Sequence, residues 1–145
     1  MGDNAGMTEQ TCATPSSMRP RIALYSHDTM GLGHIRRNTL IAQTLIQPPL
    51  SAQVLLVSGI RESGAFALPP GIDSITLPAY RKRPDGNYTA RALDMPLEQL
   101  VALRSQTILA ALTAFAPQLL IVDNVPRGAL SELDTVLPTM RARGT

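Results

Sequence analysis

One stretch near the start of the chain gathers the residues best equipped for chemistry: Ser26-His27-Asp28-Thr29-Met30-Gly31-Leu32-Gly33-His34-Ile35-Arg36-Arg37-Asn38. It follows an apolar run, Arg21-Ile22-Ala23-Leu24-Tyr25-Ser26, and leads into a segment with helical spacing. Gly31 and Gly33 permit turns and a close ligand approach that a Cβ would block. A helix starting just after them directs unpaired N–H groups and a positive dipole end at the loop. Such a place suits a phosphate or a developing alkoxide. An imidazole, with a reference pKa of about 6.5, is well suited to take a hydroxyl proton near neutral pH. His34 is therefore the first candidate for a base or a transition-state hydrogen-bond donor; the alternative is a helix cap. His27 and Asp28 face the same end of the strand, and Asp28 either orients a histidine or closes an Asx turn. Arg36 and Arg37 either pair with a phosphate or lie solvated on the outer face of the helix.

Two common nucleotide sites do not fit these residues. In Gly31-x-Gly33-x-x-Arg36 an arginine stands where the third glycine of a dinucleotide fingerprint belongs, and the second strand ends in Ser58-Gly59 without a carboxylate for a ribose. A P-loop is excluded for want of a Gly-Lys-Ser/Thr ending. No carboxylate–histidine spacing suggests a metal, so none is expected. A second candidate patch is Asp123-Asn124, at the end of a later apolar strand. Asp123 either binds ligand hydroxyls or orients His34, or else satisfies the N–H groups of its own turn. Arg127 and Gly128 open the next helix and could cradle an anion, while Glu132 is expected to face solvent or pair locally.

The elements that must position these residues follow from periodicity. Residues 1–19 are rich in Gly, Ser, Thr and Pro and read as a disordered leader, ahead of a single lobe over 20–145. Strands are expected at 21–26, 54–57, 72–77 and 119–122. Helices are expected at about 34–46, with Ile35, Ile41, Ala42 and Leu45 on one face, at 61–67, at 96–116 and at 128–142. The third of these carries an apolar stripe of Leu97, Leu100, Val101, Ile108, Leu112 and Phe115, with Glu98, Arg104 and Gln106 off it, and Asp94 or Met95 at its cap. The polar segment 80–88, with Arg81-Lys82-Arg83, reads as surface loop. Leu119-Leu120-Ile121-Val122 is apolar at every position, as in strands covered on both faces. Alternating strands and helices predict an α/β, Rossmann-like parallel sheet in the order 3-2-1-4, with helices on both faces. Ligands then bind at the carboxyl ends of strands 1 and 4. A four-stranded sheet followed by a final helix leads to the expectation that the lobe is truncated before a further strand.

Composition narrows the function classes. At 145 residues and 44% hydrophobic, the chain can bury one core. With 3% aromatics, no Trp and a net charge of only +2, it lacks the stacking platforms and charge of a single-stranded nucleic-acid binder, so no nucleic acid is expected. The lone Cys12 excludes an internal disulfide. No apolar run approaches the ~20 residues needed to span a bilayer, and the leader has no signal-type apolar region. The expected location is cytoplasmic.

Gly31-Leu32-Gly33-His34 with Arg36-Arg37-Asn38, directly after the first strand, resembles the opening of predicted bacterial glycosyltransferases of the GT-B fold, relatives of the MurG-like transferases. Leu120-Ile121-Val122-Asp123-Asn124-Val125-Pro126-Arg127-Gly128, with Glu132 beyond, is similar as well. The resemblance implies the amino-terminal, acceptor-side lobe of an enzyme that moves a sugar from a nucleotide sugar to a hydroxyl acceptor. His34 and Asp28 would be catalytic. Gly31, Gly33, His27, Arg36, Asp123 and Asn124 would hold acceptor or phosphate. The nucleotide sugar is a co-substrate, and no other cofactor is implied. The donor-binding lobe would be a further segment or a separate subunit, so the chain is not expected to complete the reaction alone. Gly-x-Gly-His also occurs in related sugar-nucleotide hydrolases, which use water as acceptor. A non-catalytic acceptor-binding subunit or fragment is the third alternative. If the acceptor is lipid-linked, Arg81-Lys82-Arg83 would add weak peripheral membrane contact, at about 1 kcal/mol per basic residue.

Overall fold

A computed structural model of the chain describes residues 19–27, 32–60 and 67–145. Expectations for most of the leader, Cys12, Asp28, Gly31 and most of the helix at 61–67 fall outside the described residues. Strand β1 (Arg21–Ser26) is followed by helix α1 (Gly33–Leu45), strands β2 (Gln53–Ser58) and β3 (Ile72–Thr76), and two short strands, β4 (Tyr80–Lys82) and β5 (Tyr88–Ala90). Helix α2 (Leu97–Phe115), strand β6 (Leu119–Val122), a 3-10 turn (Ala129–Ser131) and helix α3 (Val136–Ala142) complete the order.

β1 lies inside a four-stranded parallel sheet, β3-β2-β1-β6. It pairs with β2 from Arg21–Gln53 to Ser26–Ser58 and with β6 from Ile22–Leu119 to Tyr25–Val122. The fold is α/β and Rossmann-like, in the order that the alternation of elements predicts. Successive strand side chains point to opposite faces. Ile22, Leu24, Val54 and Leu56 therefore meet Ile35 and Ala42 of α1, while Ala23, Tyr25 and Val57 meet Ile108 and Leu112 of α2 and Val136 and Met140 of α3. β6 packs on both faces, Ile121 on the α1 side and Leu120 and Val122 on the other. As the edge strand that the order 3-2-1-4 makes it, it is only half-buried, with Leu119 47% exposed, because β1 pairs with just one of its edges.

Three elements differ from expectation. Segment 80–88 is not a loop: β4 and β5 form an antiparallel hairpin, with Tyr80 paired to Ala90 and Lys82 to Tyr88. An isolated two-stranded ribbon is marginal in water. This one is held because Tyr80 is buried against Leu100 of α2, with the Tyr88 ring edge-on at 6.1 Å. The expected helix 128–142 is broken: Gly128, Leu130 and Ser131 all have positive φ, and regular helix begins only at Val136. Pro96 is itself the N-cap of α2, ahead of the predicted first-turn position, because its extended backbone (ψ 143°) lies outside the helix. Among the described residues no helix is long and apolar enough to cross a membrane.

Candidate functional site

The carboxyl ends of β1 and β6 lie side by side. The chain runs from β1 to β2 on one side, whereas β6 is added on the other. That is the switch point at which open parallel sheets bind ligands. His34 stands on the first turn of α1, and Asp123 follows the last residue of β6, its N–H continuing the ladder to the Tyr25 carbonyl at 2.9 Å. The two side chains meet across 89 residues, with His34 Nδ1 2.8 Å from Asp123 Oδ2. A carboxylate only accepts hydrogen bonds, so this contact places a proton on Nδ1; whenever the ring is neutral, the lone pair is then on Nε2. His34 keeps 28% of its side chain exposed, whereas Asp123 keeps 11%.

Arg37 completes the cluster. Its Nη2 donates to Asp123 Oδ1 and lies 3.1 Å from His34 Nδ1. Burial would raise the Asp123 carboxyl pKa, but the hydrogen bonds and charges of Arg37 and His34 outweigh it and hold the carboxyl below its ordinary 3.8. Asp123 is thus a fixed anion that orients an imidazole. Sequence reasoning left Arg37 either on a phosphate or solvated on the outer face; its i+3 spacing from His34, which puts both on one side of the helix, was the signal for its part in the cluster. Arg36 is exposed and makes no ion pair among the described residues.

The remaining candidates are placed as follows. His27 packs its ring 5.3 Å from that of His34, tilted by 48°. Asn124 is exposed at φ 70°, in a tight turn closed by the Val125 N–H on the Asp123 carbonyl at 2.9 Å. Asn tolerates this left-handed conformation better than most residues, which accounts for its type. The anion cradle expected at Arg127-Gly128 is not formed. Arg127 pairs with Asp134, and the space beside Gly128 is filled by Leu133, Tyr25 and Glu132.

Gly33 is the first residue of α1, and a Cβ built there meets nothing within 4 Å among the described residues. None of those residues requires glycine at this position. The N-cap, Leu32, makes no side-chain capping bond, and the first turn contains no acidic residue. Among the described residues, no first-turn carboxylate or N-cap side chain satisfies the first-turn N–H groups. Gly33→Ala is expected to leave the unfolding free energy unchanged or raised by less than ~1 kcal/mol. Gly59→Ala is the contrast: its Cβ would lie 2.5 Å from the His27 carbonyl oxygen. A loss of about 1–3 kcal/mol is expected for that overpacking. Equal losses in the two variants would contradict this distinction.

Sequence reasoning missed a second cluster, directly beneath the rim. Arg104 was expected off the apolar stripe of α2, and Glu132 to face solvent or pair locally, yet both side chains are 0% exposed. Arg104 Nε donates to Glu132 Oε2 at 2.6 Å and Nη2 to Oε1 at 2.7 Å, a bidentate pair. Its Nη1 donates to the Pro78 carbonyl at 2.5 Å, and the guanidinium lies 4.2 Å over the Tyr80 ring. Glu132 also accepts from the Tyr25 hydroxyl and from the Tyr80 hydroxyl, the latter at 2.8 Å. Burial would lower the Arg104 pKa, but Glu132 more than compensates and raises it. This network ties β1, the hairpin, α2 and the segment after Asp123 together. It is satisfied internally, which marks it as support for the rim rather than as a reacting group.

The two phenols carry a pH signature. Burial, then the charge of Glu132, pushes the Tyr25 and Tyr80 pKa values well above the ordinary 10.0, against the opposing pull of Arg104. Below about pH 10 both folded and unfolded chains hold these protons, and the contribution to stability is intact. Above it the unfolded chain releases protons that the native state retains, so stability falls as pH rises toward the folded values. The urea midpoint is expected to decline between about pH 10 and 11.5, and to decline less in the Tyr25→Phe/Tyr80→Phe double variant. A flat midpoint in the parent would show that these phenols titrate normally.

Among the described residues no group of three or more His, Cys, Asp and Glu converges to hold a metal ion. Comparison with protein-family models, with curated proteins and with solved structures gave no match.

Proposed function

We propose that this chain is the acceptor-side lobe of a GT-B-type glycosyltransferase, in which His34 removes the proton of an acceptor hydroxyl as that oxygen attacks a nucleotide sugar. The contact of His34 Nδ1 with Asp123 Oδ2 at 2.8 Å, at the switch point of the sheet, carries the proposal. An oriented imidazole with Nε2 unprotonated is the arrangement of a general base. As the acceptor oxygen bonds to the anomeric carbon, the bond from that carbon to the diphosphate breaks and the nucleoside diphosphate leaves. The start of α1, which the Leu32 side chain does not cap, and the exposed Arg36 supply nearby positive potential for that leaving group. Asp123 acts through His34 as a positioning residue. Gly33 leaves room for the approach, and His27 packs beside the base. The nucleotide half of the donor belongs to a second lobe, linked or separate.

The test combines this chain with a GT-B donor lobe, spliced or mixed, and measures nucleoside diphosphate release and the sugar product. His34→Ala is expected to lower turnover at least ~100-fold, the usual lower bound for losing a general base. Unchanged turnover in that variant removes the imidazole from the mechanism. Free sugar as the only product, with hydroxyl acceptors present, would make water the acceptor and the protein a hydrolase.

A further inference from the structure

The rim of the sheet holds a second concavity that the His34 cluster does not use. It lies between the carboxyl end of β3 and the β4–β5 hairpin, with a volume of about 290 Å³. That is near the lower end of the ~300–1,000 Å³ typical of small-molecule pockets. Leu77 and Leu100 form a buried floor, while Ala92 and Leu93 form an exposed mouth. The walls are mainly apolar, with Thr76 and Arg91 the polar side chains among the described lining residues.

Among the described residues, the single charged side chain in the lining is Arg91. It makes no ion pair among them. Arg81 is drawn alongside it by a 3.2 Å hydrogen bond from its guanidinium to the Arg91 carbonyl. Lys82 and Arg83 are exposed on the same hairpin; the acidic groups nearby in sequence are Asp85, which accepts from the Asn87 N–H at 3.0 Å, and Asp94. The mouth therefore has net positive charge over an apolar interior. A hydrocarbon body with one anionic head is complementary to both features.

We propose that this cavity binds a medium-chain fatty carboxylate, with the chain on Leu77, Leu93 and Leu100 and the carboxylate on the Arg91 guanidinium. One lining guanidinium matches one negative charge and can take a carboxylate bidentately. The site stands whether or not the chain takes part in sugar transfer, because its readout is binding alone.

Calorimetric titration of the full chain with hexanoate, octanoate and decanoate, below micellar concentrations, tests the proposal. Saturable binding is expected to tighten about four-fold per added methylene until the cavity is filled. Decanol is expected to bind at least ten-fold more weakly than decanoate. Arg91→Gln should weaken decanoate at least ten-fold and leave decanol unchanged, and Leu93→Asp should weaken both. Both positions are exposed, and a circular dichroism spectrum like that of the parent confirms that each variant folds. The absence of saturable decanoate binding, affinity independent of chain length, or parent-like decanoate affinity in both variants overturns the site. Tighter binding of decyl phosphate than of decanoate overturns the choice of head group.

Discussion

Glu132→Ala is expected to destabilise the protein by about 3–5 kcal/mol, the cost of leaving the partner of a buried ion pair uncompensated. Arg104 would then hold its charge in a site that excludes water, since its side chain is 0% exposed. The Tyr25 and Tyr80 hydroxyls would lose their acceptor as well. Because native domains are stable by only ~5–15 kcal/mol, such a loss takes a large share of the total. Removing both charges should be far milder. Arg104→Met combined with Glu132→Leu restores apolar packing without a stranded charge, and a buried pair replaced in this way is often neutral. Urea denaturation of the two single variants and the double variant reads the coupling directly. A Glu132→Ala cost below ~1 kcal/mol would mean that water reaches the pair. The position of Asp123 at the rim depends on this support, because the segment carrying Glu132 begins there.

Gly128→Ala is expected to cost about 3 kcal/mol or more, from two sources that add. The first is conformation: φ 72° with ψ 174° is a backbone region that essentially only glycine occupies. The second is space, since a Cβ would come within 2.9 Å of Leu133 Cγ and of the Tyr25 hydroxyl oxygen, and 3.1 Å of Glu132 Cγ. Gly86→Ala separates the two terms. Gly86 has φ 86° in the hairpin turn, but a Cβ there meets nothing within 4 Å. It should show only the conformational cost, about 1 kcal/mol. Similar losses at both glycines, measured by denaturant unfolding, would remove packing against Tyr25 and Glu132 from the explanation.

The misreading of Arg104 shows where sequence reasoning stopped. Leu100, Ile108 and Leu112 are the buried row of α2, and Arg104 falls on the same row at i+4 spacing. The spacing marked it as interior, while its charge made it look like a surface residue. A buried arginine requires a buried anion, but nothing local pointed to Glu132, 28 residues away. The hairpin was legible in part, through Tyr80 and Tyr88 on either side of Pro84-Asp85-Gly86-Asn87. Its three basic residues masked that signal, and only the pocket around Glu132 explains why Tyr80 turns inward.

By itself the sequence determined the sheet and its order, because apolar runs of strand length alternating with helical stripes can bury their faces in few ways. It also nominated His34 and Asp123, each at the end of an element where backbone geometry opens toward solvent, with orientation of His34 as one of the alternatives for Asp123. The tertiary structure alone decided that these two should touch, that Arg37 should join them, and that an arginine and a glutamate should lie sealed beneath. Those contacts join residues 28 to 89 positions apart. Local periodicity carries no information about such distances; parallel pairing of β6 with β1 sets the first two contacts, and packing of α2 against the segment after β6 sets the third.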